Sequence, residues 1–248
     1  MTDTVRYERE GPVAVVTIDR PGKRNAVDDA TARRLRDAWQ RFDDDDAAVG
    51  VLTGAGGTFS AGADLEAMDL QDRPEGWLGH TRMRVDKPTV AAVEGHCVAG
   101  GLELACWCDM RVAGESATFG CFERRFGVPL VDGGTQRLPR IVGLGRALEL
   151  IETGRALDAA EAREWGLVNR VVPDGEALAA AVDLAERIAA HPQRTVRTDR
   201  AAVYDGLGLP IERGLAVEAR HGARAMDVAR EGAERFADGE GRGGEGVE

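Results

Sequence analysis

The first half of the chain alternates short apolar runs with amphipathic segments. Three runs rich in β-branched or small apolar residues predict strands at residues 13–18, 49–53 and 89–93. Between the first two runs, residues 32–42 repeat apolar side chains at helical spacing. Because strands that are joined by crossover helices form a largely parallel sheet, this pattern predicts an α/β fold.

Helical periodicity dominates the second half. Apolar residues form one stripe at 144, 147, 148 and 151 and another at 178, 182, 185 and 188. Because Pro192 disfavours helix in the residue before it, we predict a core domain at 1–190 and a smaller helical region at 191–237. The weak hydrophobicity of that region indicates packing against another subunit. Residues 238–248 are rich in Gly and Glu and predict a flexible tail.

Composition narrows the class of protein. The chain has 248 residues, 43% of them hydrophobic, and a formal net charge of −11, which allows a sizeable core and disfavours nucleic acid as a partner. The ~20 consecutive apolar residues of a membrane span are missing, and the first residues do not resemble an export signal. We therefore predict a cytoplasmic protein without a membrane partner. The missing export signal disfavours disulfides between the four cysteines. Cys106 and Cys108 are too close in sequence for the usual pairing of zinc ligands, so we expect no metal.

Two glycine-rich loops follow predicted strands, at 59–64 and at 99–105. Neither loop matches a phosphate-binding motif. If the second loop opens a helix near Gly101, its first amides lack intrahelical partners and can stabilise an anion. Such amides could hold a developing oxyanion, although glycines in loops of this kind also serve simply as tight turns.

Two glutamates lie in apolar surroundings. Glu103 is inside the apolar stretch 99–107, and Glu123 follows a run of aromatic and small residues. Burying a carboxylate costs free energy unless the group is partnered or serves a site. Two such groups can acquire different pKa values and act as acid and base. For Glu123, a salt bridge to Arg124 or Arg125 is an equally good interpretation.

A nucleophilic hydrolase is the rival class of enzyme. Ser60 misses the G-x-S-x-G pattern at its first glycine, and the four histidines form no recognisable partner pattern. We therefore disfavour hydrolysis.

Six motifs, taken together, are more specific than any one of them. They are RPGKRNA (20–26), FSAGADL (59–65), KPTVAAVEG (87–95), GGLELA (100–105), GGTQRL (133–138) and AAEAREWGLVN (159–169). In this order and spacing they resemble the crotonase superfamily, the enoyl-CoA hydratases and isomerases, over residues 7–242. The resemblance implies a crotonase-like spiral of ββα units with a C-terminal helical region that makes trimer contacts.

The resemblance also implies roles for individual residues. The thioester oxygen would be held by the main-chain amides of Ala63 and Gly100, and Glu103 and Glu123 would act on water and on the carbon proton. The residues that would contact coenzyme A are Arg24, Ala26, Ala61, Asp64 and Leu65.

On this basis we predict an enoyl-CoA hydratase of fatty acid β-oxidation, a homotrimer or hexamer. Its reaction adds water across the C2=C3 bond of a 2-enoyl-CoA through an oxyanion-stabilised enolate. No cofactor is expected, because coenzyme A is part of the substrate. The alternatives are an isomerase or another enolate-forming crotonase, and a non-catalytic acyl-CoA-binding protein.

The chain departs from the family pattern after the second glutamate. Phe122 stands where many hydratases have proline, and the loop 127–134 lacks the usual Pro-Gly-x-Gly-Gly run. We expect bulky Phe122, Leu130 and Val131 to border the acyl pocket. Asp132 is either a third polar group near the substrate or a turn residue.

Overall fold

The computed structural model describes residues 3–239. Their chain divides into two compact units, the first ending at Ile188 and the second beginning at Ala189. This division lies beside the boundary that we predicted between residues 190 and 191. Most of the predicted tail, residues 240–248, lies outside the described residues.

The first unit is built on two sheets. A six-stranded sheet has the order β1-β2-β3-β4-β6-β9, and a three-stranded sheet has the order β5-β7-β8. The strands are β1 (Val5–Glu10), β2 (Val13–Ile18), β3 (Val49–Gly54), β4 (Thr89–Val93), β5 (His96–Val98), β6 (Met110–Gly114), β7 (Thr118–Gly120), β8 (Leu157–Asp158) and β9 (Arg170–Val172).

The larger sheet is mainly parallel. Strand β1 pairs antiparallel with β2, whereas each further pair in that sheet is parallel. The side chains of β3 and β4 are almost all buried, as expected for strands covered on both faces. The predicted α/β class and the three predicted strands are confirmed.

The described residues form nine α-helices, and the first five of them lie between strands in chain order. They are α1 (Asp29–Asp44), α2 (Gly100–Trp107), α3 (Gly134–Val142), α4 (Leu144–Thr153), α5 (Ala159–Glu164), α6 (Ala177–Ala189), α7 (Gln193–Gly206), α8 (Ile211–Gly222) and α9 (Met226–Ala237), with 3-10 turns at Pro21–Lys23, Phe122–Phe126 and Ala223–Ala225. Helix α1 begins where the carboxylate of Asp28 accepts a hydrogen bond from the Thr31 amide at 2.8 Å, a typical N-cap.

Helix α2 carries Glu103 and is fixed at its far end by a buried cation. Arg111 is only 4% exposed, and its guanidinium donates to main-chain carbonyls at the end of α2 and at Leu167, 2.5 Å away. Because carbonyls at a helix C-terminus carry partial negative charge, they stabilise this cation. The position of α2 is thereby tied to the core.

The second unit consists of helices α7 to α9. Helices α7 and α8 pack against each other but leave several large apolar side chains exposed: Val203, Leu207, Ile211 and Leu215. Between residues 3 and 239, none of the helices combines the length and the apolar character that crossing a membrane requires.

Candidate active site

A cavity of about 190 Å³ opens in the first unit. Six of the nine residues that the sequence assigned to the site line it, and the other three do not. The cavity is lined by Ala61, Ala63, Leu65, Leu78, Val98, Ala99, Gly100, Glu103, Phe122, Glu123, Phe126, Val128 and Pro129.

The loop after β3 presents the main-chain N–H of Ala63. Val27 donates to the Gly62 carbonyl at 2.7 Å and accepts from the Asp64 amide at 2.8 Å, which makes a parallel bridge to Ala63. In a parallel bridge the middle residue directs its own N–H away from the partner strand. The Ala63 amide therefore points away from Val27, and no acceptor for it occurs within the described part of the chain.

The Ser60 hydroxyl stabilises the same loop through two hydrogen bonds. It donates to the Asn25 carbonyl at 2.8 Å and accepts from the Gly62 amide at 3.1 Å. Ser60 is fully buried and does not line the cavity, so it is placed to hold the loop and not to attack a substrate.

The second amide belongs to Gly100, the first residue of α2. Ala99 before it has φ +53° and ψ −130°, a region that costs a non-glycine residue free energy. The Ala99 amide donates to the Gly120 carbonyl at 2.8 Å. A methyl group built on Gly62 would lie only 2.5 Å from Gly100 N. The two loops thus approach each other closely, and no acceptor for the Gly100 amide is found in residues 3–239.

Glu103 lies one helical turn beyond Gly100 and is 3% exposed. Its Oε1 accepts from the main-chain amides of Asp132 at 2.9 Å and Gly134 at 2.8 Å. Burial raises the pKa of Glu103 to about 7, and the nearby negative charges of Asp132 and Glu123 act in the same direction. The two amide donors partly oppose this shift because they stabilise the charged form.

Glu123 lies in the 3-10 turn Phe122–Phe126 and is 5% exposed. Neither of its carboxyl oxygens has a hydrogen-bond partner of acceptable geometry among the residues described. The guanidinium of Arg124 donates to the Ile151 carbonyl and that of Arg125 to the Gly154 carbonyl. Burial raises the pKa of Glu123. The salt bridge considered from the sequence is therefore not formed here, and the acid is available to a ligand.

Three predicted coenzyme A contacts lie outside the cavity lining. Arg24 is exposed, and its carbonyl accepts from the Ala61 amide at 3.0 Å. The buried Ala26 accepts from the guanidinium of Arg20. The carboxylate of Asp64 pairs with the same guanidinium at 2.9 Å. These residues shape the loop beside the cavity, and their contact with coenzyme A stays a prediction.

The wall after Glu123 differs from what the sequence suggested. Phe122 lines the cavity as expected, but Val128 and Pro129 line it in place of Leu130 and Val131. Asp132 lies outside the lining, 1% exposed.

Leu78 also lines the cavity, and sequence reasoning missed it. It lies between β3 and β4 in a stretch that has turns but no helix or strand, and no periodic pattern pointed to it.

The arrangement combines two outward-facing amides with two buried acids around one cavity. Two amide donors can stabilise an oxyanion that develops on a carbonyl oxygen, and two carboxyl groups of raised pKa can move protons near neutral pH. No cluster of His, Cys, Asp or Glu suited to a metal ion occurs in the described residues.

Comparison with known proteins identifies the fold and the family. The structure of enoyl-CoA hydratase EchA1 from Mycobacterium marinum superposes with a TM-score of 0.91 at 36% identity, covering 95% of this chain and 96% of that one. The fold and the site thus define a protein of the crotonase superfamily, as predicted. The sequence model of the enoyl-CoA hydratase/isomerase family matches residues 8–241, and the chain belongs to this family.

Named relatives cover nearly the whole chain. Enoyl-CoA hydratase EchA19 of Mycobacterium tuberculosis is 38% identical over 246 residues, which is 93% of this chain and 92% of that protein. Crotonyl-CoA hydratase of Syntrophomonas wolfei is 38% identical over 227 residues, 88% of this chain and 87% of that protein.

Proposed function

We propose that the protein is an enoyl-CoA hydratase that adds water across the C2=C3 bond of a 2-enoyl-CoA. Addition of water at C3 moves negative charge onto the thioester oxygen as an enolate forms. In this proposal the amides of Ala63 and Gly100 stabilise this oxygen, and one such donor contributes about 2.7–4 kcal/mol in other enzymes.

The two glutamates receive different roles from their surroundings. Glu103 accepts two main-chain hydrogen bonds, which oppose the effect of burial and keep its pKa at about 7, so above this pH its carboxylate takes the proton from the attacking water. Glu123 has no such donors within residues 3–239, which favours its protonated form, so it gives the proton to C2. After the reaction Glu103 is protonated and Glu123 is charged, and proton exchange with water restores both. The buried pair titrates as a unit.

The observation that carries this proposal is that Glu103, Glu123 and the two amide-bearing residues line one cavity. The direct test is to mix the purified protein with crotonyl-CoA and with longer 2-enoyl-CoA thioesters and to follow the loss of the conjugated thioester absorbance. Turnover on at least one chain length is expected. Absence of turnover on all of them would reject the proposal.

Substitution of each acid separates hydration from the alternatives. Glu103→Gln and Glu123→Gln should each reduce hydration by at least about 100-fold, because each removes one proton transfer. Glu94 provides a matched control, since its carboxylate also accepts two main-chain amides, from Gly175 and Ala177 at 3.0 Å, but lies outside the cavity lining. Glu94→Gln should leave kcat close to wild type.

Two results would favour the alternatives. If Glu123→Gln retained most activity with a 3-enoyl-CoA while the wild type failed to hydrate 2-enoyl-CoA, the protein would be an isomerase. If calorimetry showed tight binding of acyl-CoA without any chemistry, it would be a binding protein.

The remaining features of the proposal concern binding, assembly and location. Coenzyme A would be bound by Arg24, Ala26, Ala61, Asp64 and Leu65. No further cofactor would be needed, so activity should survive dialysis against EDTA.

The exposed apolar side chains of α7 and α8 support assembly into a homotrimer or hexamer, which light scattering after gel filtration would test. A cytoplasmic role in β-oxidation completes the proposal and is tested by fractionation and by growth on fatty acids.

A further inference from the structure

We propose that Asp132 is a positioning residue, which links the Glu103 carboxyl to the cavity wall at Leu78. This role rests on the proposed hydratase function. The side chain of Asp132 is 1% exposed and does not line the cavity. Any effect on the reaction must therefore pass through Glu103 and Leu78, which do line it.

The main chain of Asp132 holds Glu103. Its N–H donates to Glu103 Oε1 at 2.9 Å, and the same oxygen accepts from the Gly134 amide at 2.8 Å. Asp132 belongs to the loop before α3, and Gly134 is the first residue of that helix. The orientation of the acid therefore depends on where this loop lies.

The side chain of Asp132 fixes that loop to the opposite segment. Its Oδ1 accepts from the Leu78 amide at 3.2 Å and from the Thr81 hydroxyl. Leu78 packs beside the oxyanion donor, because a methyl group built on Gly100 would lie 2.7 Å from Leu78 Cδ1. One carboxylate thus connects the residue that acts on water with the wall beside the residue that binds the thioester oxygen.

A second link joins the same two segments. Arg137 donates through Nη1 to the Asp132 carbonyl at 2.9 Å and through Nη2 to the Thr81 carbonyl at 2.5 Å. Because Arg137 keeps the segments together, we expect variants of Asp132 to fold. Their defect should be one of alignment and charge.

The charge of Asp132 adds a measurable signature. Burial raises the pKa of Glu103 most, and the negative charge of Asp132 raises it further, so removal of this charge should lower that pKa. The titratable and charged groups around Glu103 are Glu123, Asp132, Cys106, Cys121 and, further out, Arg137.

The experiment compares Asp132→Asn, Asp132→Ala and Thr81→Val with wild type, measuring kcat and KM for crotonyl-CoA from pH 5 to 9. We expect kcat to fall by roughly tenfold in Asp132→Ala and less in Asp132→Asn, which can still accept hydrogen bonds, with KM changed much less. Both should move the acid limb of the pH profile to lower pH by roughly 0.5–1 unit. Thr81→Val keeps the charge, so it should reduce kcat without moving the limb.

The matched control is Asp109→Asn. The Asp109 carboxylate likewise accepts from a threonine, through the Thr89 amide at 2.8 Å and its hydroxyl at 3.3 Å, but Asp109 lies outside the cavity lining. A shift of the acid limb in this control equal to that of Asp132→Asn would overturn the proposal, as would an unchanged kcat and limb in both Asp132 variants. If neither Asp132 variant folds, an unchanged kcat in Thr81→Val overturns it.

A readout without turnover keeps this test separate from that of the hydratase function. Infrared difference titration, with Glu103→Gln as reference, reports the pKa of the Glu103 carboxyl directly. A lower pKa in Asp132→Asn supports the electrostatic link even if wild type hydrates nothing, in which case only the hydratase proposal fails. An unchanged pKa rejects the link.

Discussion

Substitution of Gly62 by alanine should abolish the oxyanion site with little effect on the rest of the fold. Gly62 has φ +87°, and a methyl group there would lie 2.5 Å from Gly100 N and 3.0 Å from Gly100 Cα. These neighbours are main-chain atoms at the start of α2 and cannot rotate aside. The loop or the helix must therefore shift, and the Ala63 and Gly100 amides can no longer converge on one oxygen.

The magnitude follows from two contributions. Loss of one oxyanion donor costs about 2.7–4 kcal/mol, or roughly 10²–10³ in kcat. The positive φ of an alanine adds about 1 kcal/mol of destabilisation to the folded state. We therefore expect kcat for crotonyl-CoA to fall at least 100-fold while the midpoint of thermal unfolding drops by only a few degrees.

Gly57→Ala separates these contributions. Gly57 has φ +72°, close to that of Gly62, but a methyl group there meets nothing within 4 Å. This control should show the backbone cost alone, with kcat near wild type. If Gly62→Ala kept kcat within about threefold of wild type, or if both variants lost activity equally, the geometry assigned to the amides would be wrong.

Three further predictions concern stability and its dependence on pH. Because the pKa of Glu103 is raised to about 7, the folded state binds more protons than the unfolded state between pH 4.5 and 7. Wild type should lose about 1–3 kcal/mol of stability as pH rises through this window, whereas Glu103→Gln should not, as urea unfolding at several pH values will show. Burial lowers the pKa of His80 to about 3, and the positive charge of Arg137 acts in the same direction. The free energy of unfolding should therefore fall as pH drops from 6.5 towards 3. His80→Phe should remove this component of acid unfolding, and an unchanged midpoint of acid unfolding would contradict this prediction. Arg111→Leu leaves buried carbonyls unpaired and should cost about 3 kcal/mol in the same urea assay, and a loss below about 1 kcal/mol would contradict this expectation.

Much of the fold could be predicted because burial leaves a periodic signature. The strand predicted at 13–18 coincides with β2, and that at 89–93 coincides with β4. The strands of the smaller sheet were missed. Strands β5 and β7 have three residues each, which is too short to show an alternating pattern.

The residues of the site could be predicted where a charged side chain stands among apolar residues in the sequence. Glu103 and Glu123 stood out because each is an acid among apolar residues, and the structure buries both. The contacts of Asp132 could not be predicted, since its partners Leu78 and Thr81 are more than 50 residues away in sequence. Only the tertiary fold brings these residues together.

The unusual backbone of Ala99 determines when the Gly100 amide becomes aligned. Its φ of +53° and ψ of −130° are imposed during folding. The dipole of the peptide group between Ala99 and Gly100 therefore has its final orientation before any thioester binds. Little reorganisation energy then remains for the chemical step. Free and ligand-bound crystals should consequently superpose closely over residues 99–103, in contrast to an induced-fit site.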